Sequence, residues 1–365
     1  MLRRCVQFNK GLRTVPVRFH QLDTTEFGQS KQEIAEELAR IKNKEVEHKD
    51  RSWLKPDSLM NDIDKRYNYA AKILIRPHLS PLSSTRAYPR YARNDHLILK
   101  MLPGPLIPLS IDEGFKIQMR VIDNLTKDGV KNSYDGGPFR IKGWKVGATQ
   151  PHVRKTLKIN EPFLGVIFEH QYFSTPKKFT DNKTDWVVYE PQAECEFVFT
   201  FKKDLLHKSE PYTKEEILDA ISHVNAGIEL VANRIESIDR SGGIHAKVAD
   251  CGSHYSLIVN EKKSITSDYD QLYKKTVKLV LNDDVIKQGR GNNVINGEVN
   301  QDDVQGPLDT VVWAVNQLTN KYSINIYAGQ VISSGTCTGK SDVLEKDDEL
   351  IADFGDLGKV ELEFE

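Results

Sequence analysis

Glu194-Cys195-Glu196 places two carboxylates two residues apart at the start of a run of β-formers, Cys195 to Phe199. Side chains alternate faces along a strand, so Glu194 and Glu196 share one face and Cys195 and Phe197 take the other. Like charges held that close repel each other unless something positive sits between them. Paired carboxylate oxygens suit a hard divalent cation such as magnesium or manganese. The spacing alone also allows an exposed strand face with two solvated glutamates. Two further groups bear on this. Glu229 lies in Gly227-Ile228-Glu229-Leu230-Val231, an apolar strand-like setting in which a buried glutamate needs a partner. Lys145 stands between Gly143 and Gly147 in the strand-like stretch Ile141 to Thr149. Its flanking glycines leave room for a ligand or a backbone to approach. A lysine there is a cation for a carboxylate substrate, a base if desolvation lowers its pKa, or an exposed loop residue.

The elements that must position these groups are regular from Ser110 onward. Ser110 with Glu113 forms a capping box, and Phe115, Met119, Ile122 and Leu125 mark one face of a helix that stops near Gly129. Pro162 to Phe168 reads as a buried strand, and Thr175 to Lys183 as a loop. Thr213 with Glu216 caps a helix whose face is Ile217, Ile221 and Val224. Ala249 to Ser253 reads as a turn, Asn282 to Val304 as a mobile loop, and Leu308 to Leu318 as a helix. Strands follow over Gln330 to Thr336, Leu350 to Phe354 and Val360 to Phe364. There is no repeat, phosphate loop or dinucleotide fingerprint.

The first part of the chain is different in character. Residues 1–22 carry Arg3, Arg4, Lys10, Arg13 and Arg18 and no acidic residue, which predicts a mitochondrial presequence and a matrix location. Residues 23–105 read as a charged, proline-rich extension. It starts with a capping box at Ser30 and Glu33 and a narrow helical stripe of Ile34, Leu38 and Ile41. Tyr88 and Tyr91 alternate with Arg86, Arg90 and Arg93, a pattern that more often wraps its own domain than touches nucleic acid. The formal charge of −1 over 365 residues gives no reason to expect an anionic partner surface. The four cysteines, Cys5, Cys195, Cys251 and Cys337, have neither zinc-ligand spacing nor a disulfide framework, which fits a reducing compartment. No apolar run approaches the ~20 residues of a membrane-spanning helix.

Taken in order, Gly143-Trp144-Lys145-Val146-Gly147, Glu194-x-Glu196, Glu229, Ala249-Asp250-x-Gly252-Ser253 and the tail from Gly329 to Gly358 resemble the 2-keto-4-pentenoate hydratase family. This family includes 2-oxo-hexenedioate decarboxylases and lies within the fumarylacetoacetate hydrolase superfamily. The resemblance covers roughly residues 106–365. It implies an α+β fold, a mixed β-roll or sandwich with flanking helices. It implies a magnesium or manganese ion on Glu194, Glu196 and Glu229, with Lys145 approaching the substrate. Asp250, Ser253 and Thr336 fall where the family lines its substrate pocket. The implied activity is that of a lyase, a hydratase or decarboxylase of a short unsaturated 2-oxo acid, through a metal-stabilised enolate.

Three positions depart from the family pattern. Cys251 replaces an asparagine, Gln330 replaces an aspartate, and Phe163 stands where hydratases carry an acidic residue. With the extension, these departures motivate an alternative: a catalytically altered member that serves as a binding or assembly subunit of a mitochondrial complex through residues 23–105. A homo-oligomer is the other partner the resemblance allows.

Overall fold

The computed structural model describes residues 63–75, 78, 99, 101–132, 134–179, 189–261, 269–294 and 306–365. The expected presequence, the Ser30 capping box with its stripe, and the Tyr/Arg segment at 86–93 lie outside the described residues.

Helix α1 (Ile63–Leu74) buries Tyr67, Ala70, Ala71 and Leu74 along one face. It packs on α2 (Ile111–Leu125), which Ser110 caps by accepting the Glu113 N–H at 3.1 Å. The Glu113 carboxylate accepts the Leu109 N–H at 2.9 Å and binds the Arg66 guanidinium of α1 at 2.6 Å. Arg66 also donates to the Ile107 carbonyl at 3.0 Å. One arginine thus ties the two helices to the turn that starts α2. Further contacts from the N-terminal side are a bridge between Leu99 and Ile235 and the Leu102 N–H on Ser241 Oγ at 2.9 Å.

The strands form two sheets. β1 (Ile141–Gly147), β2 (Phe163–Phe168), β3 (Tyr172–Ser174), β5 (Tyr189–Phe201), β6 (Ile221–Asn233), β7 (His254–Val259) and β10 (Val331–Lys340) lie in the order β2-β1-β10-β5-β6-β7-β3. β4 (Lys177–Phe179), β8 (Thr276–Leu281), β9 (Asp284–Arg290), β11 (Glu349–Asp353) and β12 (Lys359–Phe364) lie in the order β4-β12-β11-β8-β9. Helices α3 (Pro151–Leu157), α4 (Lys214–Ala220), α5 (Ile244–Ala249) and α6 (Pro307–Asn316) flank them. The result is a mixed α+β fold in which a curled sheet forms the core, as the sequence resemblance implied.

Alternation along the strands decides which side chains meet what. On β1, Trp144 and Val146 point outward, and the Trp144 ring lies 6.2 Å from Phe115 of α2. On β5, Cys195, Phe197, Phe199 and Phe201 are fully buried on the outer face. Phe197 meets Phe354 edge-on at 5.3 Å and so joins the two sheets. The inner face of the curl carries a separate small apolar cluster, Ile167, Val198, Leu257, Val259 and Val331. Gly143, Lys145, Glu194, Glu196 and Glu229 share that inner face by alternation.

The structure corrects three expectations. Ile221 and Val224 do not extend the helix capped by Thr213. α4 ends at Ala220, Ile221 is already extended with ψ 133°, and both residues belong to β6. The β-branched residues follow the full-length pairing partner offered by β5, so tertiary pairing overrides helical spacing. Within the expected loop at 175–183, Lys177 to Phe179 form β4, parallel to the edge of β12. Within the expected loop at 282–304, residues 284–290 form β9, paired with β8 across a tight Asn282-Asp283 turn. Both turn residues are left-handed, at φ 50° and 70°, the requirement of a two-residue hairpin.

Arg66→Ala should lower the unfolding free energy by about 1.5–3 kcal/mol, because it leaves Glu113 without its charged partner. The shift reads out as a lower urea midpoint at unchanged slope. An unmoved midpoint would show that α1 is held by its apolar face alone.

Candidate metal centre

The inner face is assembled by register. Glu194 on β5 lies directly opposite Glu229 on β6, and Glu196 lies opposite Gly227. β10 runs along the other side of β5, with Thr336 opposite Glu196 and Lys340 opposite Glu194. β1 joins β10 with Lys145 opposite Ser333. Glu194, Glu196 and Glu229 each offer an oxygen within 4.8 Å of the others, and all three are buried. Lys145 Nζ lies 3.2 Å from Glu229 Oε2.

Three carboxylates against one ammonium cannot all ionise cheaply away from water. Burial pushes Glu194 above the usual carboxylate range, against the pull of Lys340 and Lys145. Burial, then the neighbouring Glu229 and Glu194, push Glu196 well above it. Burial acts on Glu229 in the same direction, but Lys145 and His254 outweigh it and hold that carboxyl at about 2. Burial would depress Lys145, yet Glu229, Glu194 and Glu196 together keep it above an ordinary lysine. Lys145 is therefore an ammonium in this cluster. The base role that the sequence left open requires the opposite shift.

The donor set fits a divalent cation. Glu196 Oε2 accepts the Ser333 hydroxyl and, at 3.0 Å, the Gly335 N–H. Glu196 Oε1 is fully buried and meets no hydrogen-bond donor among the described residues. A buried carboxylate oxygen with no partner is what an ion satisfies. Glu229 is held from both sides, with Lys145 on Oε2 and His254 Nδ1 on Oε1 at 2.7 Å. Because a carboxylate only accepts, His254 carries its proton on Nδ1. Burial pushes the imidazole pKa down in spite of Glu229, which leaves the ring neutral.

Sequence reasoning missed His254, Ser333 and Gly335. His254 follows Ser253 directly, and a lone histidine there carries no spacing signal. Ser333 is visible only through the ladder that sets it across from Lys145. Gly335 adopts φ 91°, which a side chain rarely tolerates, and this conformation turns its N–H to Glu196.

The expected substrate-side residues separate into two groups. Thr336 sits across the ladder from Glu196, and its hydroxyl accepts the Gly339 N–H at 2.9 Å. Ser253 is buried just after Gly252, whose Cα neighbours the Lys145 side chain. Asp250 is directed elsewhere. Its carboxylate pairs with Arg234 at 3.4 Å and lies 3.9 Å from His78 Nε2, within a buried group that also includes the His254 carbonyl.

Phe163 forms the wall beside Lys145. Its ring centroid lies 5.4 Å from the Lys145 ammonium. A Cβ on Gly147 would come within 2.2 Å of that ring, and one on Gly252 within 3.0 Å of Lys145 Cε. The space left by Gly147 is thus filled by a protein ring rather than by a ligand. The space left by Gly143 is filled by the Val331 carbonyl, 2.0 Å from where a Cβ would stand.

With this geometry in hand, comparison with known proteins is informative. No protein-family model matches the chain. It is 24% identical over 228 residues to 2-oxo-hept-4-ene-1,7-dioate hydratase of Escherichia coli, covering 61% of this chain and 79% of that protein. It is 23% identical over 196 residues to 2-keto-4-pentenoate hydratase of Burkholderia vietnamiensis (strain G4 / LMG 22486), covering 54% of this chain and 68% of that protein. The fold matches 4-oxalocrotonate decarboxylase from Pseudomonas putida G7, solved with calcium and acetate, at TM-score 0.62 and 18% identity over 83% of this chain and 98% of that one. A second structure of that decarboxylase, with magnesium and adipate, matches at TM-score 0.61 and 17% identity over 85% of this chain and 98% of that one. The chain is thus similar in sequence to 2-keto-4-pentenoate hydratases and in fold to 4-oxalocrotonate decarboxylase. The fold likeness extends over more of the chain than residues 106–365 comprise.

Two measurements test this centre. Glu194 and Glu196 hold protons to above the usual carboxylate pKa, so an ion must displace them. Magnesium or manganese uptake should release protons and tighten as the pH rises through and above the usual carboxylate range. Calorimetry in two buffers of different ionisation enthalpy reads that release. An affinity independent of pH would mean that the carboxylates are already ionised. Separately, Gly147→Ala should destabilise the protein by about 1–3 kcal/mol through overpacking. Adding Phe163→Ala should recover stability relative to Gly147→Ala alone, and no recovery would place the strain elsewhere.

Proposed function

We propose that the protein is a metal-dependent lyase, a hydratase or decarboxylase, acting on a short unsaturated 2-oxo acid with magnesium or manganese as its ion. The observation that carries this reading is the buried Glu194, Glu196 and Glu229 cluster with the Lys145 ammonium on its rim. The hydratases and the decarboxylase to which the chain is similar support the same chemistry.

When bound, a divalent cation supplies Lewis acidity toward the carboxylate and 2-oxo oxygens of such an acid. The three glutamates would hold it. Ser333 and Gly335 fix the rotamer of Glu196, and His254 fixes that of Glu229, so these ligands need no reorganisation when an ion arrives. Lys145 holds a proton at Nζ beside Glu229 and presents a cation to charge that develops on a substrate oxygen. The Phe163 ring shields the Lys145 side from water, which strengthens that interaction. Thr336 and Ser253, whose hydroxyl otherwise donates to Asn233 Oδ1 at 3.4 Å, would orient the substrate. Hydration and decarboxylation share this half of the site, so the cluster supports both equally.

Full-length protein loaded with magnesium or manganese should turn over a panel of 2-oxo-4-enoic acids by hydration or 2-oxo-3-enedioic acids by decarboxylation. Glu196→Gln should lose both the ion and turnover. Lys145→Ala should keep the ion and lose on the order of a hundredfold or more in kcat. A loaded protein that converts no acid in either panel would refute the assignment.

A further inference from the structure

The turn between α5 and β7 holds a conformation that side chains rarely adopt. Cys251, Gly252 and Ser253 are left-handed in succession, at φ 53°, 69° and 56°. Two of the three carry a Cβ, so the surroundings must impose the conformation. Arg234, the residue after β6, brackets it. Its Nη1 donates to Asp250 Oδ2 at 3.4 Å, and its Nη2 donates to the His254 carbonyl. One guanidinium thus holds the residue before the turn and the residue after it. Arg234, Asp250 and His254 are all buried.

The way β7 leaves this turn decides where His254 points. Leu257 lies opposite Glu229 and faces inward with it. Counting back by period two from Leu257 would put Tyr255 on the inner face and His254 on the outer one. The ladder breaks instead. Leu230 pairs with Ser256, but Val231 pairs with His254, so Tyr255 is an extra residue. The break turns His254 inward beside Val231, and its Nδ1 reaches Glu229 Oε1 at 2.7 Å. At that break the His254 carbonyl is bound by a side chain, that of Arg234.

We infer that Arg234 is a positioning residue of the metal centre, with Asp250 as the anchor of its guanidinium. By holding the turn at both ends, Arg234 keeps the register break in place and so keeps the His254 imidazole on Glu229. Arginine suits this role because its planar fork serves two acceptors at once, whereas a lysine ammonium is a single point of charge. The same turn sets Gly252 against the Lys145 stem, so both groups that support Glu229 lean on it. The inference rests on the three glutamates being a metal centre and not on which acid is converted.

The test uses the full chain and needs no turnover. Arg234→Lys keeps a cation beside Asp250 but cannot span both acceptors. In the metal-free protein, the downfield proton resonance of His254 Nδ1–H, assigned by its absence from His254→Ala, should weaken or vanish in Arg234→Lys. Manganese affinity, read from the paramagnetic resonance signal of the free ion, should fall about tenfold in Arg234→Lys and by a similar factor in His254→Ala. The two losses should not add in the double variant, because both remove the same support from Glu229. Asp250→Asn releases the guanidinium from its anchor and supplies the same cycle with Arg234 intact. An unchanged resonance and an unchanged manganese affinity in Arg234→Lys and Asp250→Asn, with only the urea midpoint lowered, would make the clamp purely structural and overturn the inference. Additive losses would also overturn it, since Arg234 would then act by a route other than His254. A wild-type chain that takes up no manganese would remove the metal centre and the inference together, whereas the other two adverse results leave the centre standing.

Discussion

Three buried carboxylates within 4.8 Å of one another are the constraint around which the rest of the structure is arranged. Their mutual repulsion is relieved in three ways at once. Lys145 and His254 stabilise Glu229 as the anion, burial shifts Glu194 and Glu196 toward their protonated forms, and the Ser333 hydroxyl and Gly335 N–H take one oxygen of Glu196. Each depends on a different strand, so the curl of the sheet is what lets β1, β10, β5, β6 and β7 all reach the same few ångströms. A flat sheet would spread the same residues over four strand spacings of about 4.8 Å each.

Much of this was legible in the sequence because period-two alternation is local. Glu194 and Glu196 share a face whatever the partner strands are, and the glycine-flanked lysine and the apolar setting of Glu229 are also local features. The pieces that could not be read depend on pairing. Ile221 and Val224 have helical spacing from Ile217, but the strand beside them decided their conformation. The Asn282-Asp283 hairpin is a two-residue signal inside a polar run, and its register partner β11 lies near the far end of the chain. Ser333 and His254 reach the site by ladder position and by a break in register after Leu230, neither of which leaves a mark on composition.

Asp250 shows how a residue type can fit a site without turning toward it. Its place after Ala249 suits the family motif, but Arg234 takes its Oδ2 at 3.4 Å, His78 lies 3.9 Å from its Oδ1, and Arg234 also binds the carbonyl of His254. Asp250 therefore shares a buried polar group with the backbone of the residue that orients Glu229.

Strand β5 has a carboxylate face and an aromatic face, and neither touches solvent over most of its length. Glu194 and Glu196 are separated by a single residue, Cys195, whose side chain belongs to the other face. The strand that carries both carboxylates is seated by Phe197 against Phe354 and by Phe199 against Tyr269. Ion selectivity depends on shifts of a few tenths of an ångström in oxygen spacing. A change of packing on the hydrophobic side of this strand therefore reaches both carboxylates through one stretch of backbone.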